Sequence, residues 1–152
     1  MTESRTALVQ FCDDIRQELG NKYSLMGCYG HELIISKIPA ALPKLCAQVS
    51  ILTPFESPFV KLILRAFLDD ELLSEIPIPE EELARGQAQM KKDPFNHRIL
   101  LLLNMTFSPL FVEHPSRIRI EAETESGILK CGNINIIERA RGNPTIDTQE
   151  ER

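Results

Sequence analysis

Among residues able to act chemically, Cys28 and His31, in the run Gly27-Cys28-Tyr29-Gly30-His31, could set a thiol nucleophile beside its base. An imidazole beside a thiol is the arrangement that yields a nucleophilic thiolate. The spacing opposes it, because positions an odd number apart on an extended strand point to opposite faces. Only a bend at the glycines would bring the two groups together, so a buried structural thiol is expected instead. The acidic pairs Asp13-Asp14 and Asp69-Asp70-Glu71 are the next candidates. Calcium takes roughly six to eight oxygen ligands, and loop carboxylates at strand ends can gather them, yet no segment has the EF-hand pattern. Asp69-Asp70 reads more simply as a hairpin tip. Glu121, Glu123 and Glu125 alternate along one stretch. Glycoside hydrolysis places two carboxyls on opposite sides of a bond, whereas these three share one face with Arg117 and Arg119. They are expected to form a solvated charge surface with cross-strand pairing to residues such as Lys130.

The thiols Cys12, Cys28, Cys46 and Cys131 contain no C-x-x-C pair, and His31, His97 and His114 are equally dispersed. Zinc sites draw on closely spaced ligand pairs, so free, buried thiols in a reducing compartment are expected. Phosphate-binding glycine loops and the G-x-S-x-G elbow are absent from the sequence. No catalytic, cofactor-binding or metal-ligating residue is therefore assigned, and no cofactor is expected. The net charge of −5 opposes binding to nucleic acid or anionic lipid. With no Trp and only Tyr23 and Tyr29, an aromatic platform for sugars or single-stranded nucleic acid is also disfavoured. No apolar run approaches the ~20 residues of a membrane span, and Met1 to Ala7 has no secretory pattern, so a cytoplasmic protein is expected.

The elements that must carry these residues are mostly strands. A length of 152 residues, 43% hydrophobic and 26% charged, fits one globular domain. Thr6 to Ile15 and Lys22 to Tyr29 flank the turn Leu19-Gly20-Asn21 as a first hairpin, with Gly27 and Gly30 marking a bulge or bend. His31 to Ile38 continues as a separate strand. Leu45, Ala47, Val49 and Ile51 alternate with Cys46, Gln48 and Ser50, the period of a half-buried strand. Lys61 to Leu68 and Leu72 to Ile78 form a hairpin across Asp69-Asp70, and Pro77 and Pro79 place its second strand at a sheet edge. Glu80 to Lys92 is the one expected helix, with glutamates in its first turn and Lys91 and Lys92 in its last, an order that suits the macrodipole. Its apolar stripe, mainly Leu83 and Met90, is thin, so it belongs on the surface. Ile99 to Leu103 is apolar without interruption. Such a run predicts a central strand covered on both faces, by the opposing sheet on one and by the helix or another subunit on the other. Arg117 to Glu138 is a hairpin turning at Glu125-Ser126-Gly127, with Ile118, Ile120 and Ala122 inward. On its return strand Leu129 and Cys131 are out of phase with Ile134 and Ile136, so a bulge is expected near Gly132.

The runs Phe11-Cys12-Asp13-Asp14-Ile15-Arg16-Gln17-Glu18, Tyr23-Ser24-Leu25-Met26-Gly27-Cys28-Tyr29-Gly30 and Leu42-Pro43-Lys44-Leu45 resemble an uncharacterised family of short bacterial β-sandwich proteins of unknown function. The resemblance covers residues 7–137. It implies the fold and a bacterial source, and carries no activity, cofactor or catalytic residue.

Taken together these features predict a mainly β domain over residues 1–138: a two-sheet antiparallel sandwich of about seven to nine strands with one inserted surface helix. Residues 139–152 are expected to be a disordered tail. The expected function is a non-enzymatic module that binds a protein partner or its own copy, without nucleic acid or membrane. The alternative is a small enzyme, or a metal- or small-ligand-binding protein, whose site is assembled from distant loops.

Overall fold

Period-two alternation is shared by most strands of this chain, and it sorts them into two facing sheets. The computed structural model describes residues 4–140. The chain runs β1 (Thr6–Glu18), β2 (Lys22–Cys28), β3 (Glu32–Ile35), β4 (Ala40–Leu42), β5 (Leu45–Pro54), β6 (Leu62–Leu68), β7 (Glu71–Ile78), α1 (Glu80–Ala88), β8 (Arg98–Phe107), β9 (Leu110–Val112), β10 (Ser116–Thr124) and β11 (Gly127–Glu138). One sheet has the order β2-β1-β5-β8, the second β3-β11-β10-β6-β7, and β4 pairs with β9 in a short ribbon. The protein is thus a mainly β sandwich with one inserted helix. All pairings are antiparallel except β3 against β11. That parallel pair and the three-residue β4 and β9, which lie beside Pro39, Pro43 and Pro109, go beyond the architecture expected from sequence.

The inward faces meet in one core. Val49 and Ile51 of β5 lie against it from the first sheet, and Leu64, Ile118, Ile120, Ile134 and Ile136 from the second. Leu62, Leu64 and Ala66 share the buried face of β6 as the alternation requires, and Ile118, Ile120 and Ala122 do so on β10. On β11 the register against β10 shifts between Ile120 and Glu121, which leaves Cys131 as the extra residue. Gly132 beside it has φ +148, and a Cβ there would stand 2.6 Å from Val9 Cγ1 of β1 across the sandwich. The bulge expected near Gly132 is therefore present, and glycine is needed both for its dihedral and for the close approach.

Two expectations are corrected. The helix stops at Ala88, so Lys91 and Lys92 lie outside it and the basic residue of its last turn is Arg85. Its buried residues are Leu83 and Gln87. Beyond Ala88 the chain is drawn toward the first sheet: Lys92 pairs with Glu56, and the Asp93 side chain accepts the amides of Phe95 and Asn96 in a local turn ahead of β8. The second correction concerns Ile99 to Leu103, which is not a central strand. β8 is an edge of the four-stranded sheet, Ile99 and Met105 face the core, and Leu100 and Leu102 remain 41% exposed. An uninterrupted apolar run records that both faces are apolar, and carries no information on how many neighbours the strand has. At the C-terminal end, the Arg139 amide donates to the Ile35 carbonyl at 2.7 Å. The rest of the expected tail, 141–152, lies outside the described residues.

Candidate functional site

Cys28 and His31 are held apart, and most of the candidate carboxylates are hydrogen-bonded or ion-paired. Cys28 and His31 are both exposed, and among the described residues no hydrogen bond joins them. Cys28 is thus not the buried thiol expected. It stands opposite Cys12, which stands opposite Cys46, so three adjacent strands present a row of thiols on the outer face. Cys46 Sγ lies 3.7 Å from Thr106 Oγ1 on β8. Cys12 and Cys46 are fully buried, and burial, followed by the neighbouring Cys46 and Cys28, pushes the Cys12 thiol up to about 11. Burial likewise drives Cys131 up to about 12. Thiols of this kind stay protonated at neutral pH and are poor nucleophiles.

Of the acidic groups, Asp13, Asp14 and Asp69 are engaged by neighbouring residues. Tyr29 donates its hydroxyl to Asp13, and a Cβ at Gly27, where φ is +65, would collide with that same carboxylate. This is the structural reason for glycine at 27. Asp14 pairs with Lys44, whose ammonium holds the carboxyl below its ordinary range. Asp69, at the β6–β7 tip with φ +53, accepts the Arg117 amide at 3.0 Å and faces His114 at 3.9 Å. Among the described residues no group of three or more His, Cys, Asp or Glu side chains is placed to hold a metal ion. On β10, Glu121 pairs with Arg119 at 2.6 Å, and Glu123 with Lys61 at 2.9 Å and Arg65 at 3.6 Å. These bonds from Lys61 and Arg65 lower the Glu123 pKa despite partial desolvation. Glu121 and Glu123 thus carry surface charge pairing as expected, but with Arg119, Lys61 and Arg65 where Lys130 was expected, and Glu125, in the turn beyond β10, pairs with Arg5.

Arg5 and Gln87 are the residues whose roles sequence reasoning missed. Arg5 donates to Thr53 Oγ1 at 3.0 Å, to the Ser57 and Pro58 carbonyls at 3.1 and 3.2 Å, and to Glu125, while its guanidinium stacks 4.3 Å from the Phe59 ring centroid. Gln87 accepts the Phe59 amide at 2.8 Å and donates to the Phe59 carbonyl at 2.8 Å, so a helix side chain satisfies both backbone groups of a buried residue. No local signal in the sequence distinguishes either residue from an ordinary surface side chain. Beside this clamp a groove of about 570 Å³ runs between α1 and the β5–β6 connection, lined by Phe55, Phe59, Ala84, Met90 and Ile99 among others. A polar depression of about 560 Å³ lies over Arg117, Arg119, Asp69 and Asp70. Its arginines are already engaged, Arg117 with Asn135 at 2.8 Å and Arg119 with Glu121.

Among the described residues, the β8 edge from Leu100 to Thr106 has no backbone partner. The Phe55 amide donates to the His97 carbonyl at 3.4 Å, which extends the β5–β8 ladder by one step and sets its phase. In an antiparallel ladder alternate residues bond to the same neighbour. Odd-numbered residues of β8 therefore bond to β5, and the N–H and C=O groups of Leu100, Leu102, Asn104 and Thr106 point away from the sheet. Among the described residues no hydrogen bond reaches those outward groups. Sheet edges are ordinarily blunted by charge, proline, bulges or shortness. β7 carries Pro77, Glu71, Glu75 and a register shift, β3 has four residues, and β2 carries Lys22 and the kink at Gly27. β8 has ten residues in unbroken register, and from Ile99 through Val112 no residue is charged. On the outer face Leu102 continues a row through Ser50 to Leu8, which is 71% exposed. On the inner side Leu101 and Leu103 are only half-buried, although Ile51 and Val49 opposite them on β5 are closed off completely.

No family model matches the chain, and neither does any curated protein.

Proposed function

We propose that this chain is a non-enzymatic protein-interaction module that receives a strand on the open edge of β8. The observation that carries this reading is the contrast among the four edges of the two main sheets: β2, β3 and β7 are each blunted, and β8 is long, uncharged from Ile99 onward and, from Leu100 to Thr106, has outward backbone groups that no described residue bonds. An added strand would satisfy four residues' outward backbone groups and cover the exposed faces of Leu100 and Leu102, with backbone pairing supplying affinity and the flanking side chains supplying selectivity. The ion pairing of Asp14, Glu121, Glu123 and Glu125, and the lack of a hydrogen bond between Cys28 and His31 among the described residues, favour this over a reading that needs a nucleophile or a metal. No helix of the described chain is long and apolar enough to cross a membrane. We place the protein in a reducing, bacterial cytoplasm, consistent with four free cysteines and with the resemblance drawn from residues 7–137.

The test uses the wild-type chain and Leu102→Lys as paired baits in source cells. The charge would sit on an already exposed position, so the fold should survive. Loss, in the variant alone, of a stoichiometric partner (another copy of the chain included), together with slowed amide exchange at Leu100, Leu102 and Asn104 in the wild-type complex, is the expected result. Identical partners for both baits, or unprotected β8 amides, would sink the proposal.

A further inference from the structure

We infer that the strand received by β8 is the β8 of a second copy, paired antiparallel about a two-fold axis at Leu101. This rests on the reading of β8 as a docking edge and adds the identity of the occupant. Charge selects a second copy of this edge over the other edges. A chain of net charge −5 repels its own copy, so self-association needs a surface that brings no like charges together. β7 against itself would juxtapose Glu71 and Glu75 with their own counterparts, whereas β8 is uncharged from Ile99 to its end. Register fits a self-paired strand as well. The apolar run Ile99 to Leu103 is centred on Leu101, so the two-fold there places Leu100 opposite the partner's Leu102 and Ile99 opposite the partner's Leu103. All five residues then face apolar counterparts. This register is also correct for hydrogen bonding, because Leu100 and Leu102 both carry outward backbone groups and would form the bonded pairs, with Leu101 in the closer, unbonded position. The two four-stranded sheets would become one of eight, and the half-buried Leu101 and Leu103 would be closed off at the join.

A contact confined to one edge strand falls below the ~800 Å² per partner of a standard interface, so the dimer should be weak, with dissociation in the tens of micromolar. Sedimentation of the full chain under reducing conditions, from about 5 to about 500 µM, should show the mass rising from 17.3 kDa toward twice that value. Leu102→Lys should remain monomeric throughout while keeping the wild-type circular dichroism spectrum. The register is read by cross-linking in a Cys28→Ser background, with oxidised glutathione as oxidant. Leu101→Cys should give a disulfide-linked dimer and Leu102→Cys alone should not. If Leu101→Cys folds poorly, a mixture of the Leu100→Cys and Leu102→Cys chains supplies the same information through a cross-linked heterodimer. A monomer at every concentration overturns the second copy as occupant, and if the β8 amides are nonetheless protected in cells the docking reading stands. A dimer indifferent to Leu102→Lys, with β8 amides unprotected, overturns both. Preferential cross-linking of Leu102→Cys to itself overturns the two-fold at Leu101.

Discussion

Arg5 binds the start of β1 to two distant segments at once, the β5–β6 connection through the Ser57 and Pro58 carbonyls and the β10–β11 turn through Glu125. Its side chain is almost entirely out of water, so removing it strands carbonyls and a carboxylate that were satisfied. Arg5→Ala should lower stability by about 2 to 4 kcal/mol in urea unfolding, and Arg5→Lys should recover little of it because one ammonium cannot reproduce a planar fork with several donors. The Glu125 carboxyl is lowered in the folded state: desolvation opposes ionisation, but Arg5 and the backbone amides outweigh it. A lowered carboxyl contributes stability above its unfolded pKa and loses it as pH falls through the folded value. The gap between wild type and Arg5→Ala should accordingly narrow on going from pH 7 into the acid range. Cys12 and Cys131 titrate with the opposite sign. Their folded values, about 11 and about 12, lie above the ordinary thiol value of 9.0, so their contribution is complete below pH 9 and lost as pH climbs toward those values. The melting temperature should fall over that alkaline window, and Cys131→Ala should flatten the slope there even if it is less stable at pH 7. Thiols as small buried hydrophobes were legible in sequence for Cys12, Cys46 and Cys131. The exposure of Cys28 was not, because it follows from the strand being an edge.

At the scale of elements, α1 is anchored by a polar side chain more than by an apolar stripe. Gln87 satisfies both backbone groups of Phe59, and Leu83 is the helix's one buried apolar residue. Gln87→Leu should therefore cost more than its size implies, about 2 to 4 kcal/mol, since two buried backbone groups lose their partner. Limited proteolysis near residues 80–90 would then begin under conditions that leave the wild-type chain intact. The bulge of β11 gives a second element-scale prediction. Gly132→Ala places a Cβ against Val9 and strains a positive φ, so destabilisation of about 2 kcal/mol or more is expected, with partial recovery in the Val9→Ala background. Chemical denaturation of the two single variants and the double variant measures that coupling. The bulge was legible because a slip of phase between Leu129 and Ile134 can be reconciled only by an extra residue. The end of the helix was misread because Lys91 and Lys92 suit a helix C-terminus, while their actual positions answer to Glu56 and the Asp93 turn.

For the whole molecule, three of the four edges of the two main sheets are blunted by charge, proline or shortness, and the β8 edge beyond Arg98 is not. Exposure of the β8 leucines should make stability depend on protein concentration if a second copy covers them. Calorimetry of the wild-type chain should show the melting temperature rising with concentration over the micromolar to sub-millimolar range. Leu102→Lys should melt at a temperature independent of concentration. A concentration-independent wild type would leave the edge to a different partner. The net charge of −5 keeps this association selective, since every blunted edge of the two main sheets carries at least one charged side chain and β8 is the uncharged approach beyond Arg98.

Local pattern determined much of this architecture. Alternation marked the strands, two prolines put β7 at an edge, a turn of glycine and asparagine closed the first hairpin, and Pro79 with three glutamates opened the helix. These are consequences of backbone dihedrals and of which face meets water, and both are written in short stretches of chain. Strand order is different in kind. Whether Ile99 to Leu103 lies at the centre of a sheet or at its rim depends on which distant segments claim its two rows of backbone groups. β5 claims one row through a continuous register, and β11 and β10 are occupied in the opposite sheet. The same holds for Arg5 with Glu125 and for Gln87 with Phe59, whose partners lie 120 and 28 residues away. Only tertiary packing, in which each buried polar group must find a donor or acceptor from wherever the chain supplies one, decided those pairings and left the β8 edge open.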